Sequence, residues 1–127
     1  MKLADALNGI VDISVDSAPF IYFVEHHSSY FTIVNAIFQE VDQGLLSLTT
    51  SVLTLTEVLM KPIQANNIHL QREYRDLLLN TQHVLSIPLD ALIATEAALL
   101  RSRYNLRTLD AIQIATAIQA GNDAFLT

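Results

Sequence analysis

Short strand-like runs separated by helix-length amphipathic segments recur along the whole chain, and this alternation narrows the fold more than any other feature. From Gly9, polar Asp12, Ser14 and Asp16 alternate with apolar Val11, Ile13 and Val15. That period of two predicts a strand that stops at Asp16. Ser17 and Pro19 suit a helix entrance, with a short helix over 20–25. Ser28 or Ser29 caps a longer helix to about Gln43, which Gly44 closes. The run 45–50 leans towards strand. Thr54 or Thr56 then opens a helical turn that carries Glu57 and stops at Pro62. Asn66 or Asn67 caps a helix with Leu70, Tyr74, Leu77 and Leu78 on one face, followed by a short strand over 83–87. Pro88 and Asp90 open an Ala- and Leu-rich helix to about Tyr104. Thr108 caps a last helix over 109–120, closed by Gly121, and 124–127 begins a final strand.

Parallel strands need helical crossovers, so this order predicts an α/β fold, a three-layer α/β/α sandwich with a mainly parallel sheet. Ligands of such sheets gather beyond the carboxyl ends of the strands. Asp16, Glu57 and Asp110 occupy strand ends or the first turns of following helices, so they can meet there. Taken singly, each acid has another explanation. Asp16 suits a turn, Glu57 a solvent-facing helix position, and Asp110 a helix N-terminus.

Composition bounds the chemistry. The 127 residues suit one domain, 1–127, with no linker or repeat to divide it. Just over half the residues are hydrophobic and 16% are charged, which excludes a disordered chain. Without cysteine there is no disulfide, thiolate metal site or Cys nucleophile. The segment 1–9 has a Leu3/Leu7 spacing but no secretory apolar region, and no apolar run reaches the ~18 residues of a membrane span, so a cytoplasmic protein is expected. His26, His27, His69 and His83 form no i, i+4 metal pair, no serine elbow occurs, and three scattered glycines make no phosphate loop. A phosphate-accepting receiver domain would need a late lysine, and the lysines are Lys2 and Lys61.

The net charge of −6 opposes simple binding to a phosphate backbone, unless the acids surround bound cations that reverse the local field. Carboxylates gathered without a counterion repel one another. Oxygen ligands alone favour Mg²⁺ or Mn²⁺ over Zn²⁺. Ser17, beside Asp16, can hold a water or a carboxylate in place. Arg101, Arg103 and Arg107 form the one basic cluster. They can bind RNA phosphates at the mouth of the site, but the stronger reading sets them at the negative end of the preceding helix dipole, where no ligand is needed. Phe20, Tyr22, Phe23, Tyr30 and Phe31 are expected mostly in the core, with one or two left for a partner.

The runs VDSAPFIYFVE (15–25), SVLTLTEVL (51–59) and LRTLDAIQIATAIQAGNDAFLT (106–127) resemble the successive motifs of the PIN domain, in particular the VapC type of bacterial ribonuclease toxin. The resemblance implies a PIN-like fold. It makes Asp16, Glu57 and Asp110 the metal-binding and catalytic acids of an Mg²⁺- or Mn²⁺-dependent endoribonuclease, with Ser17, Thr108 and Asp123 as supporting residues. It also implies structured RNA as substrate, a homodimer, and inhibition by a small antitoxin. PIN proteins generally carry a further acid just after the Phe-Leu-Thr strand, whereas this sequence ends at Thr127. Asp123, which precedes that strand, does not match it. A truncated C-terminal end, a site of three acids, or a weakened enzyme would each account for this. The rival reading is a noncatalytic PIN-like interaction module.

Overall fold

The computed structural model describes residues 11–122 and 124–126. They form β1 (Val11–Val15), α1 (Ser17–Val24), α2 (Phe31–Asp42), β2 (Leu46–Ser51), α3 (Leu53–Gln64) and α4 (Ile68–Leu79). There follow β3 (Val84–Ile87), α5 (Ala91–Arg103), α6 (Thr108–Gln119) and β4 (Phe125–Leu126). The sheet runs β3-β2-β1-β4, and every pairing is parallel. Ile13 faces Leu48, Leu48 faces Val84, and Val15 faces Leu126 across the ladders. Residues 1–10, Asp123 and Thr127 lie outside the described residues, so the expectations placed on Leu3, Leu7, Gly9 and Asp123 do too.

Two cores sit on the two faces of the sheet. On one face Val15, Leu46, Leu48 and Val84 meet Phe20, Phe38, Val41, Val58, Tyr74 and Leu78 from α1 to α4. The other, smaller core joins Ile93 and Ala97 of α5 to Ala111, Ile112 and Ala115 of α6, with Leu53 and Ile87 against it. A strand buried on both faces ordinarily reads as an apolar run. All six residues of β2 are buried, yet four are Ser or Thr. Leu46 and Leu48 face the larger core, and the alternating side chains Ser47 and Thr49 face the α5/α6 side. Small side chains there let α6 approach the strand closely.

Glycine ends two helices by one device. At Gly44 (φ 76°) the N–H bonds back to Val41 and that of Leu45 to Glu40; at Gly121 (φ 72°) the pattern repeats with Ile118 and Ala117. The corner between α3 and α4 has no glycine. Asn66 takes the left-handed position (φ 53°), closing α3 through the same pair of bonds, and Asn67 caps α4 by accepting from the Leu70 N–H.

Several boundaries differ from the sequence expectation. The helix carrying Glu57 begins at Leu53 and runs through Pro62 to Gln64; one i to i−4 bond is lost there, and the buried ring of Pro62 packs inward. Neither Thr54 nor Thr56 opens that helix. Ser51 Oγ accepts from the Leu53 N–H instead, while Thr54 is turned into the interior. Ser28 and Ser29 do not cap α2, which starts after Tyr30; His27 Nδ1 accepts the N–H groups of Ser29 and Tyr30 ahead of it. Thr108 is the first residue of α6 rather than its cap, and the capping position, Arg107, makes no side-chain cap bond.

Of the five clustered aromatics only Phe20 is fully buried, with Phe23 packed partly against the core. The others line the α1/α2 turn, where Tyr22 stacks on Tyr30 at 5.0 Å and His26 on Phe31 at 4.2 Å. The turn leaves the helical path at His26 (φ 52°), so these rings pack on one another rather than inwards.

Leu48, almost fully buried at the centre of the sheet, leaves a cavity on truncation. Leu48→Ala is expected to cost about 3 kcal/mol. Gly44→Ala is expected to cost about 1 kcal/mol, from backbone strain alone, since a Cβ there would meet only His83 Nε2 at an ordinary 3.7 Å. Urea unfolding midpoints of the two variants check both values and their order.

Candidate active site

Asp16 follows the last residue of β1 and caps α1: its Oδ1 accepts from the Ala18 N–H at 3.3 Å. Its own N–H donates to the Leu126 carbonyl, so the pairing of β4 with β1 fixes the backbone that carries it. Ser17 Oγ donates to Glu57 Oε2 at 3.1 Å, tying the start of α1 to the second turn of α3. Asp110 lies in the first turn of α6. There Arg107 grips it with two bonds, Nε to Oδ2 at 2.9 Å and Nη2 to Oδ1 at 3.4 Å.

Electrostatics show that the three acids share one neighbourhood. Burial raises the Asp16 carboxyl above its ordinary value, the Ala18 N–H opposes the shift, and the negative charges of Glu57 and Asp110 raise it further. The pKa of Arg107 is raised by its bond to Asp110 and by that carboxylate's charge, with Glu57 adding to the effect. The guanidinium is thus the cation nearest to hand in an acidic corner. Among the described residues, no three acidic or histidine side chains are drawn together tightly enough to grip a metal ion. Ala18, Ser17 and Arg107 each hold one of the three carboxylates. The donor set itself is made of oxygens alone, which fits a hard divalent cation.

The remaining expected residues fall out unequally. Ser17 holds a carboxylate, that of Glu57. Thr108 is exposed at the start of α6. Arg101 and Arg103 occupy the last turn of α5, where they complement the helix dipole, and Arg101 Nε donates to the Leu106 carbonyl. Arg107 is exposed and pairs with Asp110 three residues on. An Arg three residues before an Asp at a helix start is a spacing that could have revealed it.

Sequence reasoning missed a buried polar group beside the acids. Gln113 Nε2 donates to Thr54 Oγ1 at 2.8 Å, Gln113 Oε1 accepts from the Ser51 N–H at 3.4 Å, and the Thr50 and Thr54 hydroxyls bond at 2.8 Å. Asn122 Nδ2 donates to Ser14 Oγ at 2.6 Å, joining the end of α6 to β1.

The family model of the PIN domain matches residues 13–127, a span that contains all three acids and every described element but the first residues of β1. The chain belongs to the PIN domain family. This PIN domain shares its fold with the VapC20 toxin of Mycobacterium tuberculosis, which cleaves the sarcin-ricin loop (TM-score 0.72, 14% identity, 89% of this chain and 86% of that one). A toxin-antitoxin complex from Klebsiella pneumoniae also matches (TM-score 0.64, 20% identity, 91% and 84%). So does VapBC2 of Rickettsia felis, bound to a DNA fragment from its promoter (TM-score 0.67, 14% identity, 91% and 86%). No curated protein matches the chain in sequence. Among the described residues, no helix is long and apolar enough to cross a membrane.

The raised Asp16 has a measurable consequence. Its folded value lies above the ordinary 3.8, so ionisation favours the unfolded chain. Stability is therefore lost as pH rises from 3.8 through the folded value, and the loss persists at neutral pH. Asp16→Asn keeps an oxygen for the Ala18 N–H and removes the charge. It is expected to raise Tm by a few degrees at pH 7 and to have no effect well below pH 3.8. Metal-free melting curves of the two proteins at both pH values decide it, and a variant no more stable than the wild type at pH 7 contradicts the raised Asp16 value.

Proposed function

We propose that this PIN domain, taken as one unit over 1–127, is a divalent-metal-dependent endoribonuclease that hydrolyses RNA phosphodiester bonds. One observation carries the reading: Asp16, Glu57 and Asp110, from three separate elements, stand close enough that two of them raise the pKa of the third. A fold that keeps such repulsion, with no cysteine or histidine in the set, suits Mg²⁺ or Mn²⁺. When bound, the metal supplies an acidified water and positive charge for the leaving oxygen.

The chain's own residues have definable tasks. The β1 terminus and the Ala18 N–H aim Asp16. Ser17, bonded to Glu57 Oε2, leaves Oε1 to orient a water. Arg107 screens the acids from one another and, when released from Asp110, offers a bidentate donor to a phosphate. Arg101 and Arg103, exposed at the end of α5, extend that positive charge along a substrate backbone. Thr108, exposed beside Arg107, is a further supporting residue, and Asp123 keeps the supporting role that the family resemblance gives it.

The toxins and complexes that share the fold support a narrower reading: a cytoplasmic toxin of the VapC type, dimeric and held inactive by a small antitoxin protein. Apolar side chains for such contacts are on hand, as Met60, Ile63, Ile68 and Leu79 of the α3/α4 hairpin are exposed. A noncatalytic interaction module is favoured by one fact, that all three carboxylates are engaged by protein donors.

Cleavage of total RNA separates the two. Wild type is expected to cut in Mg²⁺ or Mn²⁺, and Asp16→Asn and Asp110→Asn are expected to lose more than about 100-fold in rate, beyond the usual effect of losing an outer-shell partner. Equal cleavage by all three, or none by the wild type, sinks the nuclease. A second expectation concerns binding: Mn²⁺ at about 100 times its Kd stabilises the wild type by about 2.7 kcal/mol. Asp110→Asn gains far less, as thermal unfolding with and without the ion will show.

A further inference from the structure

Two of the three acids are carried by helices, α3 and α6, that meet at a buried polar contact between Thr54 and Gln113. Thr54 stands one turn before Glu57 on α3, and Gln113 stands one turn after Asp110 on α6, so each acid shares a helix side with one member of the pair. Thr54 is fully buried and Gln113 nearly so (5% exposed). The orientation of the Gln113 amide is dictated rather than free. The Ser51 N–H can only donate, so the amide oxygen must face it. The NH₂ group must then face Thr54 Oγ1, 2.8 Å away. Thr54 is in turn bonded to Thr50 at the end of β2. The amide therefore joins the last residue of β2, the first turn of α3 and the first turns of α6.

Apolar packing brings the helices together, with Leu53 of α3 against a cluster that includes Ala111, Ile112 and Ala115 of α6. Small alanines permit close approach, and the polar contact adds direction to it. Hydrogen bonds are directional, and in a dry interior an unmade one costs more than its net contribution. A sliding or rotation of α6 along α3 would orphan the Ser51 N–H and the Gln113 amide together.

From this geometry we infer that Gln113, through Thr54, is a positioning residue that sets the spacing between Asp110 and Glu57 for a divalent cation. The inference rests on the metal-binding reading of those acids. Gln113 touches neither substrate nor ion; it fixes the register of the two helices that carry the ligands.

The test is Mn²⁺ affinity, measured by electron paramagnetic resonance on the whole chain well below each variant's Tm, with far-UV circular dichroism as a check on folding. Gln113→Met removes the amide at similar volume. Thr54→Val removes the hydroxyl, and Thr54→Ser keeps it. Gln113→Met and Thr54→Val are each expected to weaken Mn²⁺ binding by about tenfold, the range for partners outside the ligand set. The double variant should fall short of the sum of the two singles, because both remove the Gln113–Thr54 bond while each loses one bond of its own, to Ser51 or to Thr50. Thr54→Ser should bind as the wild type does. A merely structural role would lower Tm and leave Mn²⁺ affinity of the folded protein unchanged, and that result overturns the inference. Should Gln113→Met fail to fold, the Thr54→Val and Thr54→Ser pair decides alone. Asp110→Asn separates the two levels of argument. If it abolishes binding while Gln113→Met and Thr54→Val bind normally, the clamp is wrong and the metal site stands. If the wild type binds no Mn²⁺, both fall.

Discussion

Parallel pairing obliges each strand to be followed by a crossover, so all the strands of this sheet run out at one edge. The site depends on that constraint. Asp16 leaves β1 at that edge, Glu57 hangs from the helix that follows β2, and Asp110 opens the helix that leads back to β4. The return from β3 to β4 passes over β2 and β1, which lays α6 across the middle of the sheet and brings its first turn to the same corner. Charges that would avoid one another in a free chain are held together by several kcal/mol of hydrophobic burial elsewhere. Burial first, and the charges of Glu57 and Asp110 after it, raise the Asp16 pKa.

The two faces of the sheet divide the work. One carries large side chains, with Phe20, Tyr74, Leu46 and Leu48 fully or almost fully buried, and supplies most of the apolar burial. Tyr74 closes its polar end by bonding Glu25, and burial together with that bond raises its pKa. The other face sets the Ser and Thr side chains of β2 against a smaller core of Ile93, Ile112 and alanines, with one amide among the hydroxyls. Truncations on the two sides should differ in kind: cavities on the first, shifts of register on the second.

Much of this was legible in the chain itself. The alternation before Asp16 gave the strand and its end, because a period of two admits few other structures. Gly44 and Gly121 marked helix ends because left-handed backbone is nearly theirs alone, and Asn67 and Asp90 were readable as caps. The motifs around the acids identified the family, which spacing could not have done. Other features were hidden for physical reasons. Pro62 lies inside α3 with its ring buried, at the loss of one helical bond, so the rule that proline stops a helix misplaced the end of α3. His27 displaced Ser28 and Ser29 as the acceptor before α2, since any well-placed lone pair serves. The pairing of Gln113 with Thr54 spans 59 residues, and no local pattern encodes a contact of that range.

The corner at Asn66 and Asn67 carries a mechanical consequence. One asparagine closes α3 and the next opens α4, so no slack residue separates the helices. The two helix ends therefore share one corner, and Glu57 lies on the first of the two helices. A change at either asparagine would loosen the end of one helix beside the start of the other.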